Sequence, residues 1–180
     1  MPLPSPLTDA DHTRGASADA AVVTLVQYGD FECPFGKQVH LVVREVMGNH
    51  PGQVRFGYRH FPIRYHAHAL GAAIAAEAVA RADGEDAFWA YHDRLFDRQV
   101  SLNPYALAEH ARELGLDADA VEAALAAEAG RDAILTQKRG AIKAGVRSTL
   151  GLWIGGAWYE EDDFEAALVE RVIKPLHAAR

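Results

Sequence analysis

Cysteine is all but absent from this 180-residue chain, which carries a single one, Cys33. A disulfide-stapled scaffold, which needs cysteines in pairs, is thereby excluded. A basic excess is also missing: 18 Lys and Arg stand against 25 Asp and Glu, a formal net charge of -7. The chain therefore lacks the electrostatic footprint of a nucleic-acid binder. No apolar run approaches the roughly 20 residues of a membrane-spanning helix. The first twenty residues, with Pro2, Pro4, Pro6, Asp9, Asp11, Arg14 and Gly15, hold no apolar segment of the kind that directs export. These absences set the expectation of a cytoplasmic protein with no nucleic-acid partner, no membrane span and a flexible N-terminal tail over residues 1–20.

What is present is 49% hydrophobic residues, enough for one packed domain, or one domain with an insert. From Ala21 to Val26 the apolar and β-branched residues run almost unbroken, which suits a strand buried on both faces. Pro34 fits the first turn of a helix, where a missing N–H is no loss. Val39, Val42, Val43 and Val46 continue at helical spacing to a stop near Gly48 and Asn49. Val54 to His60 reads as a second strand, closing a β-α-β unit. From His66 to about Ala141 the chain turns alanine-rich and helical, with Phe88, Tyr91, His92, Leu95 and Phe96 on one face. Asn103-Pro104 reads as a cap and first turn, Leu114-Gly115 as a stop, and Asp117 as the next cap. Strand character returns at Leu152 to Ile154 and Ala157 to Tyr159, around a Gly155-Gly156 hairpin signal. A last helix is expected after Asp162 or Asp163, with Phe164, Leu168 and Val172 facing inward. The acidic, alanine-rich stretch from Asp117 to Asp132 reads as a solvated amphipathic face.

Four motifs carry a family resemblance. Gly29-Asp30-Phe31-Glu32-Cys33-Pro34-Phe35-Gly36 resembles the active-site junction of the DsbA-like branch of the thioredoxin superfamily, where Gly-Asp-Phe-Glu-Cys-Pro-aromatic-Cys is usual. Tyr58-Arg59-His60-Phe61-Pro62 is similar to its Arg-His-Phe-Pro segment. Phe88-Trp89-Ala90-Tyr91-His92-Asp93 is similar to its Phe-Trp-x-x-His-Asp helix. Gly145-Val146-Arg147-Ser148-Thr149-Leu150 stands where the family reads Gly-Val-x-Gly-Thr-Pro. Stand-alone DsbA-like proteins and the soluble domains fused to some sodium/proton antiporters are the relatives this suggests. The resemblance implies an α/β thioredoxin fold, β-α-β then β-β-α, over 21–65 and 142–180. It also implies an inserted helical subdomain over 66–141, and a thiol-disulfide oxidoreductase ancestry.

The chain departs from that pattern around one site. Gly36 replaces the second cysteine, so the tethered step in which it resolves a mixed disulfide is lost. Leu150 replaces the cis-proline; a non-proline cis bond costs about 2.5–4 kcal/mol, so a trans Thr149–Leu150 bond is expected. Gln27 stands where the family often carries a proton-relaying Glu, and it cannot titrate. Leu41 replaces a proline of the active-site helix. Cys33 still sits at a helix start, where unpaired N–H groups and the helix dipole favour a thiolate; Asp30 and Glu32 oppose this by their charge.

The leading expectation is therefore monothiol exchange at Cys33, released by an external thiol. Partners would be protein or peptide thiols and disulfides, or glutathione as co-substrate, with no other cofactor; a homodimer is compatible with the sequence. A second reading makes Cys33 a relic in a binding or assembly module that uses the groove at Pro34, Phe35, Gly36, Thr149 and Leu150. A third is a glutathione-transferase-like or isomerase-like enzyme of the kappa type, against which Leu150 counts. No metal site is expected. His40 lies seven positions, about 10 Å along a helix, from Cys33, too far for a dyad. His66 and His68 would diverge in a helix, and His60 and His92 read as local hydrogen-bonding groups.

Overall fold

The computed structural model describes residues 2–149, 152–159 and 169–178. Strand β1 is His12–Gly15, β2 Val23–Gly29, helix α1 Pro34–Asn49 and β3 Val54–His60. Helices α2 (Ala69–Asp83), α3 (Glu85–Asp97), α4 (Pro104–Glu113), α5 (Ala118–Ala126) and α6 (Arg131–Lys143) follow. Strands β4 (Leu152–Ile154) and β5 (Ala157–Tyr159) precede a π-type turn over Val169–Ile173 that runs into α7, Lys174–Ala178. This is the β-α-β, helical insert, β-β order implied by the family resemblance. The expected helix start at Asp162 or Asp163, with Phe164 and Leu168, lies outside the described residues. Among the described residues, no helix is long and apolar enough to cross a membrane.

Contacts divide the chain into two compact units. One comprises Met1–Tyr28, Leu41–Arg59 and Ala141–Arg180, the other Gly29–His40 and His60–Gly140. The first unit holds the sheet, in the order β1-β3-β2-β4-β5. At the start of β2 and β3, the Val22 N–H donates to the Gln53 carbonyl, and at their ends the Phe61 N–H donates to the Gly29 carbonyl. Starts meet starts and ends meet ends, so the two strands are parallel, as an intervening helix requires. The other neighbours are antiparallel: His12 faces Tyr58, Leu25 faces Ile154 and Trp153 faces Trp158. The β4–β5 connection is the two-residue Gly155-Gly156 loop, with φ of +56° and +81°. Two consecutive positive φ angles define a type I′ hairpin, which glycine adopts without steric cost. Leu25, Phe56, Tyr58, Leu152, Trp153, Val43, Val172 and Leu176 are buried.

Residues 1–20, read from the sequence as a tail, instead contain β1 and a chain of anchors. Arg59 spends all five guanidinium hydrogens on them and on β2. Its Nε donates to Asp11 Oδ1 (2.6 Å), Nη2 to Asp11 Oδ2 (2.8 Å) and the Pro6 carbonyl (2.9 Å), and Nη1 to the Ser5 carbonyl (3.1 Å) and the Tyr28 hydroxyl (2.8 Å). The leading segment is polar and proline-rich, so propensity gave no strand signal; a long-range ion pair and edge pairing with β3 order it.

The second unit is the helical insert together with the turn that starts α1. α2 packs against α3, α4 and α5; Ala72, Ala75, Ala76 and Val79 are buried and are small enough to let helices approach closely. The expected aromatic face of α3 is core: Phe88, Tyr91, Leu95 and Phe96 are buried, each worth about 1.5–3 kcal/mol. Tyr91 donates its hydroxyl to the Leu107 carbonyl at 2.7 Å, and burial pushes its pKa up, keeping it a donor. The predicted caps are in place, with Asn103 accepting from the Ala106 N–H and Asp117 from the Ala120 N–H.

Candidate functional site

Cys33 sits in the turn between β2 and α1, one residue before the helix starts at Pro34. Asp30 organises this turn. Its carbonyl accepts from the Cys33 N–H at 3.1 Å, and its carboxylate accepts from the Glu32 N–H (2.8 Å) and the Ile63 N–H (2.7 Å). His66 Nδ1 lies 2.9 Å from the same carboxylate. Glu32 in turn accepts from the His68 N–H at 2.7 Å. The two acids expected to oppose a thiolate are thus engaged by donors, from the His66 ring and the His68 backbone among others.

A further clamp comes from the loop after α3. Gln99 Nε2 donates to both the Phe31 and the Cys33 carbonyls, each at 2.8 Å. The Cys33 carbonyl also accepts from the Lys37 N–H at 3.2 Å, and a side-chain amide with two hydrogens reaches both carbonyls at once. The Phe31 ring packs between those of Phe96 (5.1 Å), His92 (5.6 Å) and His60 (5.9 Å). Lys138 donates to the Pro62 carbonyl; burial pushes its ammonium pKa down, the Asp30 charge acts against this and Arg64 adds to it.

Within this turn Cys33 is 4% exposed, whereas Phe35 is 52% exposed and Pro34 is exposed beside it. Gly36 is buried. A β-carbon there would lie 2.9 Å from the Asp30 carbonyl oxygen, 3.4 Å from Phe96 Cε1 and 3.7 Å from Cys33 Cβ. The first contact is with backbone and cannot be relieved by rotating a side chain. The turn has closed onto glycine.

Of the residues singled out from the sequence, Cys33, Pro34, Phe35 and Gly36 share this turn. Gln27 and Thr149 belong to the sheet-containing unit, where both are buried; Gln27 pairs in register with Leu152. Leu150 and its peptide bond lie outside the described residues. Asp30 and Gln99 were missed in their roles. Asp30 was visible only as a charge, and Gln99, 66 positions after Cys33, carried no local signal. Away from this turn, the helical unit also holds a cavity of about 700 Å³, lined by Leu70, Ile74, Tyr105 and Leu125 among others; none of its lining residues belongs to the Cys33 turn.

Comparison with known proteins gives a consistent result. A family model described as "Thioredoxin" matches residues 8–174. A Na(+)/H(+) antiporter NhaA 1 of Salinispora arenicola is 38% identical over 149 residues, which is 82% of this chain and 22% of that protein. The chain spans about a quarter of the length of the curated relatives it matches. Among solved structures, oxidised BdbD from Bacillus subtilis superposes with a TM-score of 0.79 at 21% identity, covering 93% of each chain. A thioredoxin-like oxidoreductase from Silicibacter pomeroyi superposes with a TM-score of 0.73 at 26% identity, covering 93% of this chain and 94% of that one.

Proposed function

Because the chain belongs to the thioredoxin family and has the fold of its DsbA-like members, we propose that it is a thiol-disulfide exchange protein reduced to one working thiol, Cys33. The Cys33 thiolate attacks one sulfur of a partner disulfide or of oxidised glutathione, forming a mixed disulfide and expelling the other sulfur as a thiolate. An external thiolate then attacks the partner sulfur of that mixed disulfide. Cys33 leaves as the thiolate and the partner sulfur passes into a disulfide with the external thiol. The net step exchanges one sulfur of the partner disulfide for the external one; a second external thiol would complete the reduction. The observation that carries this reading is the closure of the turn on Gly36, which leaves no room for a resolving thiol without moving the Asp30 carbonyl. Pro34 and Phe35 supply the exposed apolar edge against which a disulfide-bearing peptide would lie.

The test is intact-mass analysis after oxidised and then reduced glutathione, with the pH profile of Cys33 alkylation. A single adduct, cleanly reversed, with labelling well below the ordinary cysteine pKa of about 8.5, is the expected result. Absence of the adduct with slow labelling would refute exchange. The relatives named as Na(+)/H(+) antiporters make the cysteines of such an antiporter the first partner thiols to try.

One observation favours the binding-module reading: Cys33 is nearly buried while Phe35 projects beside it. In that case Cys33→Ser would retain partner capture and Phe35→Ala would lose it, whereas exchange requires the reverse for Cys33. The kappa-type reading turns on Leu150, and a glutathione-binding titration with no saturable signal would remove it.

A further inference from the structure

Behind the Cys33 turn, the helical unit brings together three side chains that thiol exchange does not use. His40 lies on the second turn of α1, and His92 and Asp93 lie on α3; both imidazoles are fully buried, and Asp93 is 31% exposed. Asp93 Oδ1 is 2.8 Å from His92 Nδ1 and 3.8 Å from His40 Nδ1. The three residues can each offer a ligand atom within 4.8 Å of the other two. In a tetrahedral zinc site with metal–ligand bonds of about 2.0–2.2 Å, ligand atoms stand roughly 3.3–3.5 Å apart. The two separations from Asp93 bracket that value, and the two imidazoles offer ligand atoms within 4.8 Å of each other, so small rotations of the side chains would gather all three around one ion.

We propose that His40, His92 and Asp93 form a binding site for a divalent transition-metal ion of the zinc type, with water completing the coordination. Two imidazoles and one carboxylate suit zinc and its borderline neighbours rather than calcium or magnesium, which take oxygen ligands. The rings are held in place before any ion arrives. His40 stacks on Phe96 at 4.9 Å and 15°, and His92 stands edge-on to Phe96 (5.1 Å) and Trp89 (4.9 Å). Such an aromatic wall fixes ligand orientation and excludes competing water. Asp93 neutralises part of the ion's charge and, being partly exposed, marks the side from which ion and water arrive. His92 Nδ1–H, now donating to Asp93, would shift its proton to Nε2 on ligation, since each neutral tautomer leaves one nitrogen free to bind. The ion would tie the second turn of α1 to α3. Cys33 lies two helical turns away along α1, so it is not a ligand and the site does not depend on thiol exchange.

The test is equilibrium dialysis of the full chain with Zn2+, paired with Co2+ absorption spectroscopy. One equivalent of Zn2+ is expected, together with visible Co2+ d–d bands and no thiolate charge-transfer band. Cys33→Ser should bind as the parent does. Asp93→Asn, at a partly exposed position that should not disturb folding, is expected to weaken binding on the order of 100-fold; His40→Leu keeps the bulk against Phe96 and should do the same. Circular dichroism verifies that each variant is folded. The assignment is overturned by no saturable binding to the parent, by binding that survives both Asp93→Asn and His40→Leu, or by binding lost in Cys33→Ser.

Discussion

At the scale of single residues, Gly36 and Arg59 make opposite kinds of commitment. Gly36 is committed by crowding: any β-carbon meets the Asp30 carbonyl at 2.9 Å. Restoring the family cysteine by Gly36→Cys is therefore expected to cost about 1–3 kcal/mol in urea unfolding. It should also leave both thiols titratable under mild oxidation; a product two hydrogens lighter, with an unchanged midpoint, would show that the turn tolerates the pair. Arg59 is committed by hydrogen bonding, with every donor used. Burial pushes the Asp11 carboxyl up, but the hydrogen bond and charge of Arg59 and the hydrogen bonds of Thr8 outweigh it, so its pKa is lowered from the ordinary 3.8. Between the folded and unfolded values the unfolded chain binds more protons, so this contribution is complete above about pH 4 and is lost as pH falls through the folded value. Asp11→Asn should cost about 3 kcal/mol at neutral pH and remove that part of the acid limb, which stability measured against pH would reveal.

At the scale of elements, boundaries written in local chemistry were legible and clamps made across the chain were not. β3, the Gly155-Gly156 hairpin and the caps of α4 and α5 follow from adjacent residues, because turns and caps are satisfied within three or four positions. Asn103→Ala is expected to lower stability by about 1 kcal/mol through its cap alone, read as a shift in the thermal midpoint. The start of α1 behaves differently, because its preceding turn is held by Gln99 from beyond α3. Gln99→Leu removes two hydrogen bonds at about 1 kcal/mol each. It should lower stability by about 2 kcal/mol and accelerate Cys33 alkylation as the turn loosens; an unchanged labelling rate would mean that Asp30 alone holds it. Gln99 gave no sequence signal, since nothing in its neighbourhood shows which carbonyls it will meet.

At the scale of the whole molecule, the N-terminal segment is part of the sheet-containing unit through β1 and the anchors on Arg59. Removing residues 1–11 takes away the Asp11, Ser5 and Pro6 partners of the Arg59 side chain and leaves Tyr28, so it should destabilise more than Asp11→Asn does. Urea unfolding of the two variants side by side decides this; equal losses would reduce the segment to its one carboxylate. The sequence by itself determined the order of elements from β2 to β5, the family and the single thiol. Periodicity, capping and motif spacing are local properties, and the absence of a second cysteine needs no coordinates. Only the tertiary structure decided that the turn closes on Gly36, that Asp30 and Gln99 hold the backbone at Cys33, that residues before Ala21 join a sheet, and that His40 meets His92 and Asp93. Each of these is a distance through space between residues far apart along the chain, and packing, which sets such distances, leaves no spacing in the sequence to read.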